Sequence, residues 1–355
     1  MYFVNPNVKS LYRTSYQESR KDYIRLDMNE NPEGLPLSFF NKVMSGISPE
    51  LLSMYPEKMD LINKISESVN FKSDNIVLTN GSDDAIRLVF EVFGEPGKKV
   101  ISVSPTFEMY SVYTKMYGLS YCPIEYDQDF KLDIKTLIDS IDEKTSIVIL
   151  LNPNSPIGEP WKEDDIRKII KRASENGALV VIDEAYHFFY DITFVTMVSE
   201  YQNVIVFRTF SKLLSIAGLR IGYAVSNSEI AHVLSNASST YPVNAIALRF
   251  AEELMEHPNI IEELKMTEQE GRRFLLSKLR ENQYDHYYNS GNYILVKSKK
   301  DPKVIFEELK KRGILIKTYS HPILSEWIRI TTGSIYTLDR FWNEFKNVDT
   351  TSTDC

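Results

Sequence analysis

Lys212 lies in "TFSKLLSIAGLRIGY" (residues 209–223), between short hydroxyl residues and a glycine-spaced apolar run, with Arg220 downstream. A lysine there is either a solvated loop residue or an amine placed to form a Schiff base with a carbonyl. Thr209, Ser211 and Arg220 can converge on one phosphate, because hydroxyls and a planar guanidinium suit that anion. Asp183 ends the apolar run "ALVVI", where an ionised carboxylate is costly unless a cation or donor meets it. It either pairs with a nearby arginine or faces a protonated ring nitrogen, and Tyr186 is then within reach of a ring hydroxyl. Asn80-Gly81-Ser82-Asp83-Asp84 is either a plain capped helix start or a phosphate cradle of exposed amides. Phe107 is either core or a ring stacker. Asn154 and Ser155 belong to "NPNSPIGEP", a rigid loop with small polar side chains.

These residues share a context. From about residue 75 to 225, short runs apolar on both faces ("NIVLT", "KKVISVS", "TSIVILL", "ALVVID", "NVIVF") alternate with amphipathic helical stretches such as "DDAIRLVFEVF". That pattern predicts an α/β fold with a mostly parallel sheet sandwiched between helices. Such sheets bind ligands at the carboxyl ends of their strands, which is where every residue named above except Arg220 falls. "GLRIGYAV" reads as a further strand carrying Arg220 near its start. Together the set supplies a phosphate cradle, a ring stacker, a carboxylate, a tyrosine and a lysine, which is what pyridoxal phosphate requires.

After residue 244 the pattern changes to long helices interrupted near Pro258, then three short strands ("NYILVK", "GILIK", "WIRIT") with a helix between the first two and another over 336–346. The expected organisation is an arm over 1–35 packing on the smaller domain and the substrate site. A large cofactor-binding domain over 36–243, a smaller α+β domain over 244–347 and a disordered polar tail over 348–355 follow.

Composition narrows the function classes. The chain has 355 residues, 43% hydrophobic and 25% charged, with a net charge of -8, so no basic stripe is available for a nucleic-acid backbone. Its apolar runs fall far short of the roughly 18 residues that a membrane helix needs. Two cysteines, Cys122 and Cys355, exclude a disulfide framework and fit a reducing cytoplasm. The five histidines show no metal-ligand spacing, so no metal is expected.

The motifs "NPNSPIG", "DEAY", "SK" and "AGLRIGY", in this order, resemble the fold-type I pyridoxal-phosphate aminotransferases. "LDMNENP" (26–32), "MYPE" (54–57), "GSDDAI" (81–86), "SPTFEMY" (104–110) and "WIRITTG" (327–333) resemble the histidinol-phosphate aminotransferase branch. The resemblance runs from about residue 16 to 335. It implies an aspartate aminotransferase-like fold with a seven-stranded type of sheet in the large domain.

It also implies that Lys212 is the Schiff-base lysine and proton shuttle, that Asp183 holds the pyridine nitrogen, and that Tyr186 donates to the ring oxygen. Phe107 would stack on the ring. Ser82 and Asp83 through their amides, with Gly81, Thr209, Ser211 and Arg220, would cup the phosphate. Tyr55 would reach the cofactor of the other subunit in a homodimer with shared active sites. Arg329, Lys317, Asn29 and Tyr16 would hold substrate.

Two residues depart from the family pattern. Ser155 stands where an asparagine usually contacts the ring oxygen; serine is shorter, and Asn154 beside it is the candidate to compensate. Lys317 stands where an arginine usually completes a phosphate clamp with Arg329, and lysine lacks the planar fork. The activity implied is amino transfer between an amino acid, L-glutamate foremost, and a small carbonyl substrate, with or without a phosphate. The alternative is decarboxylation of a phosphorylated hydroxy-amino acid, as in the threonine-phosphate decarboxylases that share this scaffold.

Overall fold

A computed structural model describes residues 2–9, 11 and 18–350. Its thirteen strands run in chain order as β1 (Ile24–Arg25), β2 (Ile76–Thr79), β3 (Lys99–Ser104), β4 (Ser120–Glu125), β5 (Thr145–Leu151), β6 (Leu179–Asp183) and β7 (Val204–Thr209). They continue as β8 (Gly222–Ser226), β9 (His286–Tyr287), β10 (Tyr293–Lys297), β11 (Ile314–Leu315), β12 (Lys317–Thr318) and β13 (Trp327–Thr331).

Apolar residues on both faces of β5, β6 and β7 place these strands in the middle of a seven-stranded sheet of order β2-β8-β7-β6-β5-β3-β4. Val148, Leu150, Val180, Ile182, Val204 and Val206 enter one apolar layer. Ile147, Ile149, Val181, Ile205 and Phe207 enter the other. Helices such as Ser82–Phe93 and Glu163–Glu175 follow strands and cover these layers. The pairs β3–β4, β3–β5, β5–β6 and β6–β7 are parallel, whereas β8 is antiparallel to both β2 and β7. It follows that Thr79, Ser104, Leu151, Asp183 and Thr209 end their strands on one edge of the sheet, where β8 begins.

β4 was not anticipated. Its sequence, "SYCPIE", is half-buried and carries Pro123, which only an edge strand tolerates without losing a ladder bond. Arg220 falls just outside β8, in the left-handed region (φ 55°), rather than within a strand.

A second, four-stranded antiparallel sheet has the order β12-β13-β10-β9. Ile294, Val296, Ile328 and Ile330 on one face pack into a third apolar cluster, with residues such as Leu275, Leu309 and Phe341 from helices Pro258–Glu281, Pro302–Lys311 and Ile335–Thr350. The opposite face turns toward the edge of the large sheet. Proline at the first turn of Pro258–Glu281 starts that helix, where its missing N–H costs no hydrogen bond. The last helix reaches Thr350, three residues into the segment read as a polar tail. The N-terminal segment is tied down by β1, which pairs in parallel with β11.

Candidate active site

One end of the site is an anion cup. Gly81 caps the N-terminus of helix Ser82–Phe93 with φ 80° and no side-chain cap, which leaves the first amides to a ligand. A Cβ at Gly81 would lie 2.7 Å from Arg220 Nη2, so only glycine lets the guanidinium close on the turn. Arg220 Nη1 donates to Ser211 Oγ (3.5 Å) and to the Ala217 carbonyl (3.3 Å). Thr209 Oγ1 donates to Ser211 Oγ (2.9 Å) and accepts from the Ser211 N–H (3.1 Å). Thr79 Oγ1 beside this turn is buried without a partner among the described residues. The Asp83 carboxylate accepts from Tyr113 (3.3 Å). Two hydroxyls, a guanidinium and a helix N-terminus thus fit a phosphate.

The other end is an acid. Asp183 is buried, accepting from the Tyr110 hydroxyl (2.9 Å) and from the Ala185 N–H (3.0 Å). Burial pushes its carboxyl up to about 6, against the pull of those two bonds and of the Lys212 charge. The arginine alternative fails, because the one arginine on the neighbouring strand, Arg208, bonds Glu184 instead (3.0 Å). A buried carboxylate held by two neutral donors fits a protonated ring nitrogen.

Lys212 Nζ donates to the Met28 carbonyl (3.1 Å) and lies 5.6 Å from the centre of the Tyr186 ring. The Tyr186 hydroxyl accepts from Asn29 Nδ2 (2.7 Å). Burial raises this phenol's pKa, but the charges of Lys212 and Arg329 and bonds from Asn29 and Ser155 outweigh it, so Tyr186 is more acidic than usual. Phe107 is 40% exposed and meets Tyr110 edge-on (5.6 Å, 84°), which places it at the rim of the sheet and out of the core.

Asn154 cannot compensate for Ser155. Its Oδ1 accepts from Thr106 Oγ1 (2.6 Å) and its Nδ2 donates to the Pro105 carbonyl (2.9 Å), so both ends are used to hold the loop that carries Phe107. Ser155 Oγ instead accepts from Arg329 Nη1 (3.3 Å).

Arg329 is buried on β13, opposite Lys317 on β12. Its Nη2 donates to the Asp27 carbonyl (2.5 Å), its Nε is buried without a partner among the described residues, and its guanidinium carbon lies 5.6 Å from the Tyr293 ring centre. Lys317 is exposed. Asn29 adopts φ 56° and takes a bond from Thr331 Oγ1 (3.2 Å), while its carbonyl accepts from Asn292 Nδ2 (3.1 Å). Asn29 therefore ties the second sheet to Tyr186 of the first. Arg20 holds the same strap through Asp27 (2.6 Å).

Tyr55 makes none of these contacts: it is 77% exposed, its ring flat on Tyr241 (4.4 Å, 9°). Tyr16 lies outside the described residues. The sequence reading missed Tyr110, although its place one helical turn after Phe107 was visible; it also gave no role to Tyr293 and Thr331 of the second sheet, or to Asn292 just before β10. It also missed that His257 groups with Glu253 and Glu256 at metal-ligand distances; Lys42, Lys64 and Arg249 already neutralise those carboxylates.

Residues 38–345 match the family model described as aminotransferase class I and II. A histidinol-phosphate aminotransferase of Thermoanaerobacter sp. (strain X514) is 32% identical over 328 residues, 91% of this chain and 92% of that protein. One of Clostridium novyi (strain NT) is 30% identical over 92% of this chain and 94% of its own. In fold, the chain is similar to the crystal structure of histidinol-phosphate aminotransferase from Sinorhizobium meliloti in complex with pyridoxal-5'-phosphate. That likeness has a TM-score of 0.88, with 22% identity and 97% of each chain covered.

Proposed function

The chain belongs to the class I and II aminotransferases and is a pyridoxal-phosphate-dependent transaminase; within that family we propose that it moves an amino group between L-glutamate and a small phosphorylated carbonyl compound. The observation that carries this reading is the pairing of a buried, arginine-free Asp183 with the cup of Arg220, Ser211 and Thr209, Lys212 being the nearby amine. The curated relatives of this chain, named as histidinol-phosphate aminotransferases, supply the phosphorylated substrate class.

Pyridoxal phosphate, when bound, draws into its cationic ring the electron pair left at the substrate's Cα. Lys212 would hold it covalently between turnovers and, once released, take the proton from Cα through its Nζ. The charged Asp183 keeps the ring nitrogen protonated, and Tyr110 and the Ala185 N–H keep Asp183 in place. Tyr186, positioned by Asn29, donates to the ring oxygen. Phe107 covers the ring face, and the helix amides of Ser82 and Asp83 with Thr209, Ser211 and Arg220 hold the phosphate. Arg329 and Lys317 take the anionic end of the substrate.

We also assign residues 1–35 to an arm, 36–243 to a cofactor domain and 244–347 to a smaller domain, a division supported by the separate seven-stranded and four-stranded sheets. The enzyme is proposed to work in the cytoplasm as a homodimer in which Tyr55 completes the site of the second copy. The exposure of Leu52, Met54, Tyr55 and Met59 together supports that assignment. Among the described residues no helix is long and apolar enough to cross a membrane.

The test is to add L-glutamate to the cofactor-loaded enzyme and follow the visible absorption band. Conversion to the amine form of the cofactor is expected. CO2 release from a phosphorylated hydroxy-amino acid, with no conversion by glutamate or other common donors, would overturn the reading in favour of a decarboxylase.

A further inference from the structure

Strand side chains alternate between faces, so residues two apart on one strand share a face. Arg329 is paired with Lys317 on β12 and with Leu295 on β10. Tyr319 lies just past the end of β12, two residues after Lys317, and its ring reaches both cations: its centre lies 5.9 Å from the Arg329 guanidinium carbon and 6.0 Å from Lys317 Nζ. The family resemblance gave this tyrosine no role.

Two polar atoms here are left without partners. The Tyr319 hydroxyl and Arg329 Nε are both shut off from solvent, and neither has a hydrogen bond among the described residues. Native structures rarely leave buried donors unmet, so two such donors on neighbouring side chains mark where a ligand atom belongs. Arg329 has meanwhile committed Nη1 to Ser155 and Nη2 to Asp27. Each of those nitrogens carries a second N–H, and the single N–H of Nε has no partner among the described residues, so the Nε side of the guanidinium is left open to a ligand. Burial holds the Tyr319 phenol up at about 12, even with Arg329 pulling it down, so the hydroxyl keeps its proton at neutral pH and remains a donor.

We infer that Tyr319 is a specificity-determining residue, its hydroxyl donating to the anionic group, carboxylate or phosphate, that Arg329 holds through Nε. This rests on the reading of Arg329 as the substrate anchor. The contact replaces part of the geometry that Lys317 cannot supply, since an ammonium on a flexible stem offers charge but no planar fork. Tyr319 adds direction while Lys317 adds charge at the exposed side.

The test uses the cofactor-loaded enzyme and two probes that carry no amine and cannot react: glutarate for the carboxylate and inorganic phosphate for the phosphate. Their affinities are measured by calorimetry for the wild type, Tyr319→Phe, Tyr319→Gln and Arg329→Gln. The phenylalanine variant is expected to bind at least one probe roughly 10- to 100-fold more weakly, the span of a hydrogen bond to a charged group. Cofactor content and melting temperature should stay unchanged, the loss in turnover should appear in KM rather than kcat, and the glutamine variant, which keeps a donor, should recover part of the affinity. The probe that weakens identifies which end of the substrate pair uses the contact. Affinities that survive in Tyr319→Phe but vanish in Arg329→Gln would overturn the role of Tyr319 alone. A wild type that binds neither probe, and whose cofactor glutamate leaves unchanged, would overturn the transaminase site and this inference with it.

Discussion

The two ends of the site are built differently. The cofactor end is local: Gly81, Asp183, Thr209, Ser211 and Lys212 each follow an apolar strand within a few residues, and the sheet aligns them on one edge. The substrate end is assembled from distant pieces. Arg329 is held by Asp27, 302 positions away, and by Ser155, 174 away, while Asn29 bonds Tyr186 across 157 positions. A local site varies only when its own short segment varies. A dispersed one can be retuned one contact at a time while the rest of the machinery stays intact, and this chain's two departures, Ser155 and Lys317, both lie beside Arg329.

Changes at each end should therefore have different signatures. Lys212→Ala removes the amine that moves the Cα proton, and kcat should fall by about 10³-fold or more in single-turnover measurements. Glutarate affinity, read at the other end, should remain. A variant with near-normal turnover would break the comparison at its root.

Tyr110→Phe sharpens it. The Tyr110 bond lowers the Asp183 pKa, so its loss should raise that pKa further, by roughly one unit. Cofactor binding needs the charged carboxylate, so the acid midpoint of cofactor affinity should move to higher pH by the same amount. An unmoved midpoint would show that Tyr110 only fills space.

Ser155→Asn, where the two ends meet, should have the smallest effect. It restores an amide within reach of the ring oxygen but takes a hydroxyl from Arg329, and opposing changes of one neutral hydrogen bond each amount to roughly two- to tenfold. The visible band should shift while kcat/KM changes little. A loss beyond that range would mean that the Ser155–Arg329 bond governs substrate placement.

The same contrast sets what could be read before the structure. Doubly apolar strands and the residues that close them were legible, because strand ends are local features of the chain. Whether Asp183 paired with an arginine was not, because the answer lay in Arg208 turning to Glu184. Asn154 looked available for the ring, since its use by Thr106 and Pro105 depends on how two loops meet. Tyr110 was within reach of spacing arguments, three residues after Phe107. Tyr319 was not: β12 is only two residues long, and the cations beside it come from opposite strands of a sheet. β4 escaped because a proline-bearing, half-buried edge strand lacks the apolar signal of the strands inside the sheet.

Asp183 has a consequence for how the protein persists. Its carboxyl, raised from 3.8 to about 6 by burial, binds its proton more tightly folded than unfolded. Its contribution favours the native state below about pH 4 and is lost as the pH rises through about 6. By neutral pH the cofactor-free fold is then about 3 kcal/mol less stable than this one group would otherwise leave it. A bound cation above the carboxylate reverses that loss, and a tight ligand adds stability in proportion to the logarithm of its concentration. Cofactor supply would then set the lifetime of the chain as well as its activity, because the copies left without cofactor unfold most readily and reach proteases first.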